Sequence, residues 1–307
     1  MVSDGIRMKT LFPRSSRHTP TPADTHQGIR QKRVPAWVNG MLIIGTFFFL
    51  FWQERRRPLR PAVESISKRT GRNLMMAGIT AITLQMTERP LISRLSRLVT
   101  RRRIGMLKSL PLPFWLEVPL AVILMDYTLY WWHVLTHRVS CLWRFHVVHH
   151  IDVDLDASTA IRFHFTEMVI SVVWRAGQVA FIGVSPLPLS IWQTLLLVSV
   201  LFHHSNIALP IRMERWLVKL IVTPRMHGIH HSDRRKETDS NWSSGLTFWD
   251  RLHGTLKLDV PQESINIGIP AYQKGPEVSL PHLLLIPFKS QRPSWLPATH
   301  TIEQSSP

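Results

Sequence analysis

Residues 130–150 read YWWHVLTHRVSCLWRFHVVHH, and residues 222–231 read VTPRMHGIHH. Both end in His-x-x-His-His, at His146, His149, His150 and at His227, His230, His231. On a helix, positions i, i+3 and i+4 share a face. Each copy is therefore expected to present three imidazoles to one point. Neutral imidazole is the commonest side-chain metal ligand and suits iron, zinc, copper and nickel. Of 16 histidines in the chain, 12 lie between His133 and His253, so the imidazoles are concentrated for a purpose.

The first of these stretches grows out of an apolar run, 111–135, that carries only Glu117 and Asp126. Further runs cover 34–52, 74–87, 168–184 (with Arg175) and 187–202. A membrane span needs about 20 apolar residues. The runs at 34–52 and 111–135 reach that comfortably, and the other three are short enough to resemble buried core helices. Five runs with 12 Trp and 13 Phe in 307 residues favour a membrane protein. The fold expected is an all-α integral-membrane helical bundle, capped on its cytosolic face by histidine-rich helices.

The formal net charge is +17. Its arginines flank the greasy runs: Arg55, Arg56, Arg57 and Arg60 after the first, Arg94, Arg97, Arg101, Arg102 and Arg103 before 111–135. That placement suits anionic lipid surfaces better than nucleic acid, which is not expected as a partner. Residues 91–103 (LISRLSRLVTRRR) have the spacing of a basic amphipathic helix lying in the interface. Basic residues border the runs on both sides, so they do not decide the topology. With one cysteine, Cys141, no internal disulfide or zinc–thiolate site is possible. The thiol is expected to be a small buried residue.

Four segments follow from composition. Residues 1–36 are a polar, basic tail expected to be disordered. Residues 37–130 hold transmembrane and interfacial helices. Residues 131–256 are the chemical region, including a membrane hairpin at about 166–205 broken at Ser185-Pro186. Residues 257–307 are a Pro-rich tail. A hairpin returns to the side it left. It therefore brings His133/His137 and the first triplet to the same membrane face as His203-His204 and the second triplet. His18, His26, His282 and His300 read as ordinary capping or surface residues, and His203 and His253 lean the same way.

The order HxxxH, HxxHH, His-Ser-Asn, HxxHH resembles the fatty acid hydroxylase superfamily, also called the sterol desaturase family, in its bacterial branch. The similarity runs through residues 126–167, 201–210 and 222–255. It implies a non-haem di-iron centre that uses O2 to oxidise a C–H bond of a lipid or sterol. Carried over by position, the metal ligands are His133, His137, His146, His149, His150, His204, His227, His230 and His231. His164, Asp126, Arg162, Glu167, Asp239, Asn241 and Asp250 match recurrent positions that would supply a further ligand or orient the imidazoles. The cofactor implied is two iron ions, with zinc able to occupy the same ligands in isolated protein. No CxxCH, GxGxxG or ferredoxin-type cysteine cluster is present. Electrons are therefore expected from a separate donor, cytochrome b5-like or a ferredoxin, steered to a basic cytosolic face. The expected location is a bacterial inner membrane, or the endoplasmic reticulum in a eukaryote.

The sequence departs from the family pattern at several places. Gly228 stands where an arginine is usual, Trp242-Ser243 replaces an aromatic–Gly pair, His253 replaces an aromatic, and Phe165 replaces a proline. None removes a ligand. Two other readings are a metal-dependent membrane lipid hydrolase, disfavoured by the lack of an HExxH glutamate, and a non-catalytic membrane protein with a structural metal.

Overall fold

A computed structural model describes residues 33–273 and 275–296. Among these the secondary structure is helical, with isolated β-bridges only. Four helices are long and apolar enough to cross a membrane: α1 (Ala36–Arg56), α5 (Phe114–Arg138), α7 (Phe165–Ile182) and α8 (Pro186–His204). The last two form the hairpin expected at about 166–205, although the apolar runs at 168–184 and 187–202 looked marginal in length. Helical turns flanking the purely apolar stretches supply the missing length.

Helix α1 is apolar on almost every side, and Trp37, Met41, Ile44 and Phe48 stand exposed. Such a surface is stable in hydrocarbon and costly in water. Helices α7 and α8 are a tight hairpin. Gly183 closes α7 in the left-handed region (φ 86°), and Pro186 opens α8, where a missing N–H costs nothing. Between α1 and α5 lie α2 (Ile66–Met86), α3 (Glu88–Arg102) and the single turn α4 (Met106–Ser109). Helix α3 lays Ile92, Ser96 and Val99 against the hairpin, with Ser96 Oγ donating to the Val184 carbonyl at 2.8 Å. Gly105 (φ 98°) then passes so close to Gly183 that a Cβ there would lie 2.6 Å from the Ala180 carbonyl oxygen. A core of Val99, Leu107, Met125, Val179, Ile182 and Trp192 joins α3, α4, α5, α7 and α8.

The cap is assembled from short helices: α6 (Ser140–His150), α9 (Ile211–Leu217), α10 (Pro224–His230), α11 (Arg235–Thr238), α12 (Phe248–Leu252) and α13 (Leu280–Leu285). The Pro-rich stretch after residue 257 folds back through Ile269, Ala271, Tyr272, Leu283 and Ile286 onto Val147, Val148 and Ile151 of the α6 region. Cys141 is exposed near the start of α6, not buried as expected. The buried side of α6 is taken by its histidines and valines.

Candidate metal centre

Helices α5 and α8 deliver His133, His137 and His204 from their last turns, while α6 and α10 lie across the end of the bundle carrying the two triplets. Eight histidines fall into two tetrads. His133, His137, His150 and His230 form one, and His149, His204, His227 and His231 the other, with ligand atoms within 4.8 Å of one another in each. The tetrads touch, His150 stacking on His231 at 4.3 Å between ring centroids.

Each triplet is therefore divided, which corrects the expectation that a copy converges on one point. Helical neighbours are turned by about 100°, so i+3 and i+4 diverge even though both lie near i. In the first copy His150 goes to one tetrad and His149 to the other. In the second copy His227 and His231 stay together and His230 leaves. His146 belongs to neither tetrad. Its ring lies 4.9 Å from His137 and 5.4 Å from His149, and its Nε2 is buried without a partner.

The other ring nitrogens explain the aim of these side chains. His133 Nδ1 donates to the Trp242 carbonyl at 2.7 Å, His230 Nδ1 to Ser240 at 2.8 Å, His149 Nδ1 to Arg162 at 3.2 Å and His204 Nδ1 to Val200 at 2.8 Å. His146 Nδ1 donates to Glu167 Oε1 at 2.8 Å. Each of these bonds places the proton on Nδ1 and leaves Nε2 as a bare acceptor. His204 Nε2 then faces His149 Nε2 at 3.0 Å, and His227 Nε2 lies 3.1 Å from both His204 and His231. Two lone pairs at that distance repel unless a cation lies between them. A metal with nitrogen ligands at about 2.0–2.1 Å sets ligand–ligand distances of roughly 3.0–3.4 Å, so the spacing fits. Burial and neighbouring imidazoles push His150, His227 and His231 far below the ordinary imidazole value, and burial takes His230 to about 3. All four are neutral at physiological pH, the form a metal requires.

Of the accessory residues expected from the sequence, Glu167 is the one carboxylate among them that bonds an imidazole directly. Asn241 acts through the backbone. It sits at φ 56°, its amide donates to the Met226 and Lys257 carbonyls, and the carbonyls on either side of it hold His230 and His133. Asp250 fixes the same loop by accepting from Trp242 N at 2.8 Å, Ser243 N at 3.0 Å and Thr255 Oγ1 at 2.7 Å. Arg162 contributes its carbonyl to His149 while its guanidinium pairs with Asp152 at 3.1 Å. Asp126 bonds Leu246 N and Trp249 Nε1 and touches no imidazole. Asp239 pairs with Arg138 and Arg235 near the surface. His164 stays outside the cluster: its Nδ1 caps α7 by accepting from Thr166 N, and its Nε2 donates to the Leu284 carbonyl. His253 stacks on Tyr130, and His203 packs against His227 at 4.1 Å without joining a tetrad.

An ionic layer behind the first triplet escaped the sequence reading. Asp152 receives Arg69 Nη1 at 3.0 Å, Asn73 Nδ2 at 3.0 Å and Thr159 Oγ1 at 2.9 Å, besides Arg162. Burial opposes its charge, but Arg69 and Arg162 overcome that and hold it down to about 2. The signal was present in the acidic run DVDLD (152–156), one residue beyond His150, and in the i, i+4 pair Arg69/Asn73. Gly228 also has an explanation in space. A Cβ there would collide with the guanidinium of Arg60, which fills the position from the loop after α1.

Residues 118–255 match the family model described as fatty acid hydroxylase. This region is similar to the fatty acid hydroxylase family. The matched region contains both tetrads, Glu167, Asn241 and Asp250. The chain is 31% identical over 159 residues to the ornithine lipid hydroxylase of Rhizobium tropici, covering 51% of this chain and 46% of that one. It is 28% identical over 138 residues to the alkylglycerol monooxygenase of Homo sapiens, covering 44% and 29%. It is 26% identical over 152 residues to the cholesterol 25-hydroxylase of Mus musculus, covering 48% and 49%. The chain spans under half the length of these curated relatives. No solved structure is significantly similar to it.

Proposed function

We propose that this chain is a membrane-bound lipid hydroxylase that inserts one oxygen atom of O2 into a C–H bond, using two iron ions held by His133, His137, His146, His149, His150, His204, His227, His230 and His231. The observation that carries the proposal is the set of bare, buried Nε2 atoms aimed at two adjacent points, within a domain whose named relatives are lipid hydroxylases and monooxygenases. Iron at these points would supply the redox chemistry that O2 activation needs. The overall balance is R–H, O2, two electrons and two protons giving R–OH and water.

The residues of the chain do the rest. Glu167 and the carbonyls of Trp242, Ser240 and Arg162 hold His146, His133, His230 and His149 in one tautomer and one orientation. The second tetrad is buried, as are His150 and His230 of the first, which limits water at the oxidising centre, while His133 and His137 are half-buried. His133, His137 and His204 sit at the ends of membrane-crossing helices, which favours a substrate that lies in the bilayer. Electrons come from a separate donor on the cytosolic side, and the exposed guanidiniums of Arg138, Arg234 and Arg235 beside the ligand helices favour an acidic one.

The test is incubation of the iron-loaded protein in lipid vesicles with a ferredoxin or cytochrome b5 system and isotopically heavy O2. Lipid carrying the heavy oxygen is the expected product. Turnover under strict anoxia, or product oxygen drawn from water, would overturn the proposal in favour of hydrolytic metal chemistry.

A further inference from the structure

The end of the bundle away from the histidines holds a second cavity, of about 440 Å³. The first turns of α1 (from Ala36 to Ile43) and α8 (from Pro186 to Gln193) form two of its walls, and the junction of α2 and α3 closes it. It is remote from the metal centre. Its α8 residues precede His204 by 11 to 18 positions, or about 17–27 Å along the helix. Because α1 and α8 are both membrane-crossing helices, their first turns mark the opposite membrane boundary.

The lining is divided in the manner of a lipid. Arg33 and Arg89 stand exposed at the polar part, with Ser93 beside them. Among the described residues neither guanidinium has a carboxylate partner within salt-bridge distance. Arg33 lies near enough to Arg97 and Arg89 for the like charges, after partial burial, to lower its pKa. The acid at this end, Glu88, accepts from Gln193 Nε2 at 3.2 Å. Ile43, Leu84, Ile92 and Leu189 supply the apolar part. Arg89 Nη1 donates to the neutral Gln85 Oε1 at 2.7 Å, so both guanidiniums keep an uncompensated charge, and two such charges at a membrane boundary above an apolar groove fit an anionic headgroup with its acyl chain lying along the protein. The volume lies in the range of small-molecule sites, enough for a headgroup and the first part of an acyl chain.

We infer that this cavity binds one anionic phospholipid, with its phosphate between Arg33 and Arg89 and its chain against Ile43, Leu84, Ile92 and Leu189. The site is separate from the metal centre, and the inference stands whether or not the chain oxidises lipids. It serves as a fixed anchor for one lipid of the leaflet opposite the histidines.

The experiment uses the full chain in detergent micelles, native mass spectrometry and three probes: phosphatidylglycerol, phosphatidylcholine and inorganic phosphate. One phosphatidylglycerol should remain bound where phosphatidylcholine does not. Each arginine near such a surface contributes about a fivefold factor in affinity, so R33A/R89A should weaken retention by about 25-fold. R102A/R103A removes the same charge from the end of α3 and should keep the lipid. The metal content of all variants should match the parent and serves as the check on folding. Retention by R33A/R89A, equal loss in R102A/R103A, or displacement of the lipid by inorganic phosphate would each overturn the inference. The last result would leave a small-anion site in its place.

Discussion

Replacing Glu167 by Ala tests how the imidazoles are held. In the folded chain Glu167 Oε1 accepts from His146 Nδ1 at 2.8 Å, and side-chain exposures are 4% and 5%. A buried hydrogen bond to a charged group is worth about 1.5–3 kcal/mol. Without it, His146 loses both its fixed tautomer and its orientation, and loss of such an outer partner weakens metal affinity about 10- to 100-fold. The two figures agree, since tenfold corresponds to about 1.4 kcal/mol. Glu167→Gln keeps an acceptor oxygen but loses the charge, and neutral bonds are about half as strong. Its loss should be near the square root of the alanine effect, about three- to tenfold. The assay is metal per chain by elemental analysis after equilibration against graded chelator, with circular dichroism to follow folding. Wild-type affinity in Glu167→Ala, with the fold intact, would refute the reasoning. It would show that His146, which lies outside both tetrads, holds no metal.

Three further outcomes are expected. His150→Ala and His230→Ala should each deplete one of two metals, and the double variant should lose no more than either; His150→Ala with His227→Ala should lose both, and elemental analysis separates these patterns. Asp126→Ala strands the Leu246 amide and the Trp249 indole N–H, each costing about 1–3 kcal/mol when buried, so the unfolding free energy from chemical denaturation should fall by the sum, about 2–6 kcal/mol. Asp152 is held to about 2 in the folded chain against about 3.9 unfolded, a difference worth about 2–3 kcal/mol. The folded pKa is the depressed one, so this stability is complete above the unfolded value and disappears as pH falls through about 2. Metal-free Asp152→Asn should therefore be weaker than the parent at pH near 6 and converge with it on acidification; a gap independent of pH would contradict the assignment.

The histidine cluster was legible because its members are written in short repeats. The spacing of His133/His137 and of the two triplets is local, and helical periodicity alone puts each group on a face. The turn at Ser185-Pro186 was legible too, since proline and the preceding cap residue act on their own backbone. The spans α7 and α8 were underestimated for the opposite reason. Counting apolar residues omits polar helix ends such as Thr166, Glu167, His203 and His204, which still carry the chain across.

The sequence by itself determined a helical membrane protein with imidazoles gathered at one end, because hydropathy and helical period are properties of neighbouring residues. Tertiary structure alone decided which imidazole joins which tetrad. That choice depends on how α6 and α10, distant in sequence, cross the ends of α5 and α8, and on the 100° or so between adjacent helical positions. It also decided that His230 and His133 are held by carbonyls on either side of Asn241, that His164 caps a helix instead of joining the cluster, and that Asp152 gathers Arg69, Arg72, Asn73, Thr159 and Arg162 around it. A carbonyl has no side-chain identity to read, and a buried carboxylate reveals its partners only when the chain has brought Arg69, Asn73 and Arg162 around it.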